Sequence, residues 1–131
     1  MNIYTFFAKW KDSFNDFDKT YGSQCVDVIK QFFQDVLLIP PIKGNAIDYW
    51  RDIPGFTRIK KTPFNRPQTG DLVVWNINLP YGHIGICNWT SFIQGNCFEQ
   101  NFPLDSPCHF QTHSYRNILG WLRPQKEVNG V

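Results

Sequence analysis

From Val26 the apolar positions fall at Val26, Ile29, Phe32, Phe33, Val36 and Leu37, a three-and-four spacing that predicts a helix burying one face. Pro40 and Pro41 end it. Gly22 and Ser23 stand where a cap belongs, and with Ser23 as N-cap Cys25 falls in the first turn. Segments 45–52 and 4–14 read as two further short helices. After Pro67 the period changes: 70–75, 83–89, 96–102 and 119–124 are short, β-rich runs separated by turn residues. Helices followed by strands predict an α+β domain whose N-terminal helices pack on a central antiparallel β-sheet.

Strand alternation sorts the polar residues. His83, Gly85, Cys87 and Trp89 share one face of their strand, expected to lie beneath a helix, and Ile84 and Ile86 share the other. Gly85 leaves room there for the start of the cysteine helix to approach. On the next strand Glu99 and Asn101 share a face, opposite Phe98, Gln100 and Phe102. A carboxylate or amide on one imidazole nitrogen of His83 leaves the other free to take a thiol proton. A thiol in the first turn of a helix gains from the dipole and the orphan N–H groups, which also suit an oxyanion. Cys25, His83, Glu99 and Asn101 are therefore the candidate catalytic set.

Length and charge narrow the class. The 131 residues, 42% of them hydrophobic, fit one domain spanning 1–131, with 125–131 as a frayed tail or linker stub. A net charge of +2 with scattered lysines and arginines argues against nucleic acid as a partner. No apolar run approaches membrane-spanning length, and the N-terminus lacks the pattern of a signal peptide, so the chain is expected to be made in the cytoplasm with free thiols and no membrane partner. Aromatic residues make up 17%; Trp75, Tyr81, Trp89 and Trp121 are divided between core and groove, with Tyr81 the foremost groove candidate.

The loop before Cys25 is acidic. Counting from Asp16, carboxylates fall at the first, third and twelfth places (Asp16, Asp18, Asp27), with Thr20 fifth and Gly22 seventh, the ligand spacing of a calcium loop. Tyr21 stands where an EF-hand has glycine, and Asp27 replaces the final glutamate. Capping and dipole effects are the competing explanation. Carboxylates crowded near Cys25 oppose a thiolate, and a bound divalent cation reverses that sign.

With these residues in view the chain resembles the CHAP family, cysteine- and histidine-dependent amidohydrolases and peptidases that cut bacterial cell-wall peptide. The matching pieces, in family order, are "DFDKTYGSQCVD", "KGNA", "RPQTGDLVVW", "YGHIGI" and "FEQN". The resemblance implies a papain-like α+β fold, Cys25 as nucleophile, His83 as base, and Glu99 with Asn101 orienting the imidazole. It also implies a structural Ca2+ on Asp16, Asp18 and Asp27, with carbonyls from Thr20 and Gly22; Gln24 and Tyr81, beside the cysteine and the histidine turn, are the candidate peptidoglycan contacts. The expected reaction is cleavage of a peptidoglycan amide through a thioester, as an N-acetylmuramoyl-L-alanine amidase or a cross-bridge endopeptidase. The expected setting is a phage lysin or virion-associated wall hydrolase, with a wall-binding domain or subunit outside this chain as a further partner. The alternatives are a catalytically lapsed, calcium-dependent wall-binding module and a papain-like protease acting on protein. Cys97, Cys108, His109 and His113 fit no standard zinc spacing and are expected to be surface or loop residues.

Overall fold

The computed structural model describes residues 1–20, 22 and 24–128. Asn2 opens α1 (Ile3–Trp10) by accepting the Thr5 N–H at 2.9 Å, and the helix buries Ile3, Phe6 and Phe7, one apolar stripe. In α2 (Cys25–Phe32) Val26, Val28, Ile29 and Phe32 are buried; the chain continues through a wider π turn, Phe33–Leu37, and leaves at Leu38 with φ 58°. Ser23, the expected cap, lies outside the described residues; Gln24 is the N-cap, and its N–H donates to Asp27 Oδ2 at 2.8 Å. Segment 45–52 forms one 3-10 turn, Ala46–Tyr49.

Six antiparallel strands follow: β1 (Phe56–Lys60), β2 (Leu72–Trp75), β3 (His83–Thr90), β4 (Gln94–Glu99), β5 (His109–Ser114) and β6 (Ile118–Pro124). Their spatial order is β1-β6-β2-β3-β4-β5. The expected α+β arrangement is present, with two strands, β1 and β5, that periodicity did not predict. The main core joins Phe6, Ile29, Phe32 and Phe33 to Leu72, Val74, Ile84, Ile86, Phe98 and Leu122. Asp71, buried at the start of β2, takes a bidentate Arg123 from β6 at 3.1 and 2.9 Å, so the pair fixes the sheet centre.

The faces of β3 are the reverse of the expectation. Ile84 and Ile86 face the helices, whereas Cys87 joins Val73, Trp75, Cys97 and Trp121 in a smaller cluster on the other side. A residue as apolar as isoleucine belongs in the larger core, and that preference sets the register. Gly85 makes room for Glu99, not for a helix: an added Cβ would lie 3.1 Å from Glu99 Oε2. After the irregularity between Cys87 and Trp89, Trp89 is 45% exposed. The tail expected to fray is tied down as far as Val128, whose carbonyl accepts from Ile3 N at 2.8 Å; 129–131 lie outside the described residues.

Gly82 sets where β3 begins. Its φ is +75°, and a Cβ there would come within 2.8 Å of Ile47 N, while Tyr81 O accepts the Ile47 N–H at 2.8 Å. Gly82→Ala is expected to lower stability by about 2 kcal/mol and to displace the start of β3, read as a lower midpoint in denaturant melts.

Candidate active site

Cys25 is the first residue of α2, so its own N–H and that of Val26 lack helical partners and face the sulfur. The third donor comes from the sheet: the Ile84 N–H also faces the thiol, which puts the sulfur against the peptide joining His83 to Ile84. Burial pushes the Cys25 thiol up to about 11; the three N–H groups pull against burial, and Asp27 adds a small further rise.

His83, nearly buried, opens β3 with its ring between Trp75 and Phe102, at centroid distances of 5.4 and 4.7 Å. Its Nε2 lies 3.2 Å from Glu99 Oε2 but off a hydrogen-bonding axis, and Nδ1 is left for a proton donor. Glu99 is fully buried at the end of β4. Burial would raise its pKa; the His113 hydrogen bonds and the adjacent His83 ring outweigh this and hold the carboxyl below its ordinary value.

Asn101 does not sit beside Glu99 as alternation required. β4 stops at Glu99, Asn101 turns into the left-handed region at φ 63°, and its Oδ1 accepts the Asp105 N–H at 2.6 Å. Its side chain is spent on the turn, and it lines the cleft instead. That cleft, about 580 Å³, is bordered by Gln24, Cys25, Asn45, Tyr81, Asn101 and Leu104. Tyr81 is 56% exposed there, whereas Trp75 and Trp121 are core.

The acidic loop does converge. Asp16, Asp18 and Asp27 each offer an oxygen within 4.8 Å of the others. Asp16 Oδ1 and Asp27 Oδ1 are buried without a hydrogen-bond partner among the described residues. Burial raises Asp27 to about 6; the Gln24 N–H opposes this, and the negative Asp18 and Asp16 add to it. Asp18 already holds Lys30 at 3.0 Å through Oδ2 and the Thr20 N–H through Oδ1. Orphaned, hard oxygen donors of this kind fit a calcium-type cation. Tyr21 lies outside the described residues; Gly22 has φ +73°, a conformation open to glycine.

Two functional residues escaped the sequence reading. Gln100 is buried; its Oε1 accepts from Asn15 N at 2.6 Å, and its Nε2 donates to Asn15 O and Gln24 O, each at 2.8 Å. It thereby ties the acidic loop and the N-cap of α2 to the end of β4. His113, on β5, binds Glu99 through Nε2 at 2.7 and 2.9 Å. The spacing of His109, Gln111 and His113 by twos was the available strand signal. His109 and His113 lie on β5 and Cys97 is buried on β4, contrary to the surface or loop placement expected of them, whereas Cys108 does lie in the loop before β5, though buried. The four cysteines are free thiols. No helix among the described residues is long and apolar enough to cross a membrane.

The CHAP domain matches residues 14–101. The endolysin PlyTW of Staphylococcus phage Twort is 30% identical over 124 residues, which cover 83% of this chain and 26% of PlyTW. The crystal structure of the wild-type endolysin LysIME-EF1 superposes with a TM-score of 0.80 at 25% identity, over 94% of this chain and 62% of that one. Ly7917 shares the fold, with a TM-score of 0.69 at 12% identity over 92% of this chain and 59% of that one. The chain thus spans about a quarter of PlyTW and under two thirds of LysIME-EF1.

Gln100→Leu strands the Asn15 N–H and leaves two carbonyls without a donor. It is expected to lower stability by about 2–4 kcal/mol and to loosen the α2 N-terminus, read as faster hydrogen exchange at Asn15 than at the β2 amides.

Proposed function

The chain belongs to the CHAP domain family, and from that premise we propose that it is a peptidoglycan hydrolase acting as a cysteine amidohydrolase or endopeptidase on the bacterial cell wall. The observation that carries the reading is the sulfur of Cys25 lying at a helix N-terminus against the His83–Ile84 peptide, with His83 backed by a buried carboxylate. A solitary thiol pushed up to about 11 is protonated at neutral pH, so the nucleophile forms only as His83 takes its proton through Nδ1. Glu99 stabilises the resulting imidazolium from the Nε2 side.

The thiolate attacks the amide carbonyl, and the N–H groups at the start of α2 receive the oxyanion. His83 returns its proton to the departing amine, leaving a thioester on Cys25. Water, deprotonated by His83, then hydrolyses the thioester and restores the thiol. Wall peptide lies along the cleft, with Gln24 and Tyr81 as contacts. A phage lysin or virion-associated enzyme is the setting consistent with its relatives' names, and a wall-binding domain or subunit is the further partner proposed.

Asp16, Asp18 and Asp27 would hold a Ca2+, with the carbonyls of Thr20 and Gly22 completing the set. When bound, the cation supplies positive charge that offsets the carboxylates before α2. Asp27 meanwhile keeps its cap on Gln24 N.

Purified protein should clear a suspension of Gram-positive walls, and Cys25→Ala should reduce clearing to background; clearing by the alanine variant would overturn the mechanism. Mass spectrometry of the released ends assigns the bond cut. For the cation, Ca2+ at about 100 times its Kd should raise the melting midpoint by roughly 10 °C. A chelator should reverse that rise, and Asp16→Asn should abolish it.

A further inference from the structure

Glu99 has more partners than a single orienting carboxylate requires. His83 reaches it from β3 and His113 from β5, and each presents the same atom, Nε2. The separations are 3.2 Å from His83 to Oε2, and 2.7 and 2.9 Å from His113 to Oε1 and Oε2. One donor atom from each of the three residues lies within 4.8 Å of the other two. His83 Nε2 is buried, aimed into this cluster, and has no hydrogen-bond partner among the described residues. With its side-chain nitrogen turned towards Glu99, Gln111 reaches Oε1 at 3.2 Å and Phe102 O at 2.7 Å, bracing the carboxylate from outside.

We propose that His83, Glu99 and His113 form a binding site for a transition-metal cation of the Zn2+ class, separate from the acidic loop, and that occupation of this site switches catalysis off. Two imidazole nitrogens and one carboxylate oxygen are the donor set of zinc chemistry, whereas the all-oxygen loop suits a hard cation. A tetrahedral ion with bonds of about 2.0–2.1 Å holds its donors roughly 3.3 Å apart, so the contacts of both imidazoles to Glu99 open by a few tenths of an ångström to admit it. His113 has 14% of its side chain exposed, against 3% for His83 and none for Glu99, so the ion enters from the β5 side and keeps water in its open position.

The inhibitory half rests on the reading of His83 as the base. A neutral imidazole ligating through Nε2 carries its one hydrogen on Nδ1, leaving no lone pair for the thiol proton. Glu99, drawn onto the metal, also ceases to stabilise an imidazolium.

Binding is read without turnover on the full chain carrying Cys25→Ser, in saturating Ca2+, with Co2+ as a spectroscopic probe and Zn2+ as competitor. One equivalent of Co2+ should give a visible ligand-field band with no near-ultraviolet thiolate band, and Zn2+ should displace it. His113→Gln should weaken binding by at least the ~10–100-fold that loss of an outer-shell partner costs. With only three histidines, ring resonances of the otherwise unaltered Cys25→Ser chain give a variant-independent reading: those of His83 and His113 should move together on adding Zn2+, and that of His109 far less. Unmoved His83 and His113 rings, a thiolate band, or unchanged affinity in His113→Gln would each overturn the site. If the site binds but Zn2+ leaves wall clearing by the Cys25 enzyme unslowed, the switch falls and the site stands; an enzyme that clears no wall even without metal overturns the hydrolase reading alone.

Discussion

Gln100 spans the gap between sheet and helix. Its amide is buried at the end of β4, and three of its hydrogen bonds run to the backbone of Asn15 and Gln24, the latter one residue before Cys25. Cys25 and Ile84 belong to elements far apart in sequence, so the approach of the thiol to the Ile84 N–H depends on how firmly the α2 N-terminus is held against the sheet. A side-chain amide suits this because it both donates and accepts, satisfying an unpaired N–H and two carbonyls where no strand or helix can supply partners. The adjacent Glu99 faces the opposite side of the same strand. One dipeptide therefore fixes the helix with one residue and the imidazole with the next.

The electrostatics of the site are a compromise between burial and donation. The sulfur is half-buried at the edge of the cleft, and burial favours the neutral thiol, yet it faces three N–H groups that favour the thiolate. Nearby, three carboxylates converge, and among the described residues Lys30 is the one cation paired with them, on Asp18. Left alone, that charge opposes both the folded loop and an anionic sulfur. A divalent cation held by these carboxylates would relieve both at once, which is how the proposed ion would act on the thiol.

What periodicity made legible was the apolar part of the fold. The stripe from Val26 to Leu37 gave α2 and put Cys25 in its first turn, and the runs ending in Trp75, Trp89 and Pro124 gave the central strands. The edge strands were missed for a physical reason: β1 and β5 each have one neighbour, and β5, with His109, Gln111, Thr112 and His113, buries little apolar surface. The swapped faces of β3 have a related cause. Alternation divides a strand into two sets but does not say which faces the helices; comparing Ile84 and Ile86 with Gly85 and Cys87 would have decided it. Asn101 failed differently, because extrapolating alternation past Glu99 assumed a strand that the turn at Asn101 ends.

The residues invisible to pattern are those whose partners lie far off in sequence. Gln100 acts on a loop 85 positions away, and His113 acts across 14 positions on a neighbouring strand. Nothing local marks either as special. His113 in addition reaches Glu99 diagonally, since the residue paired with Glu99 in the ladder is His109 and the one paired with His113 is Gly95. Gly85 contributes no side chain of its own to that face, which leaves the Glu99 carboxylate room: an added Cβ there would press on Glu99 Oε2. The buried charge of Glu99 is thus held by two rings from opposite neighbours, and a carboxylate so surrounded is rigid. Rigidity of that kind fixes the His83 ring between Trp75 and Phe102, and the same geometry gives a metal ion a prepared seat.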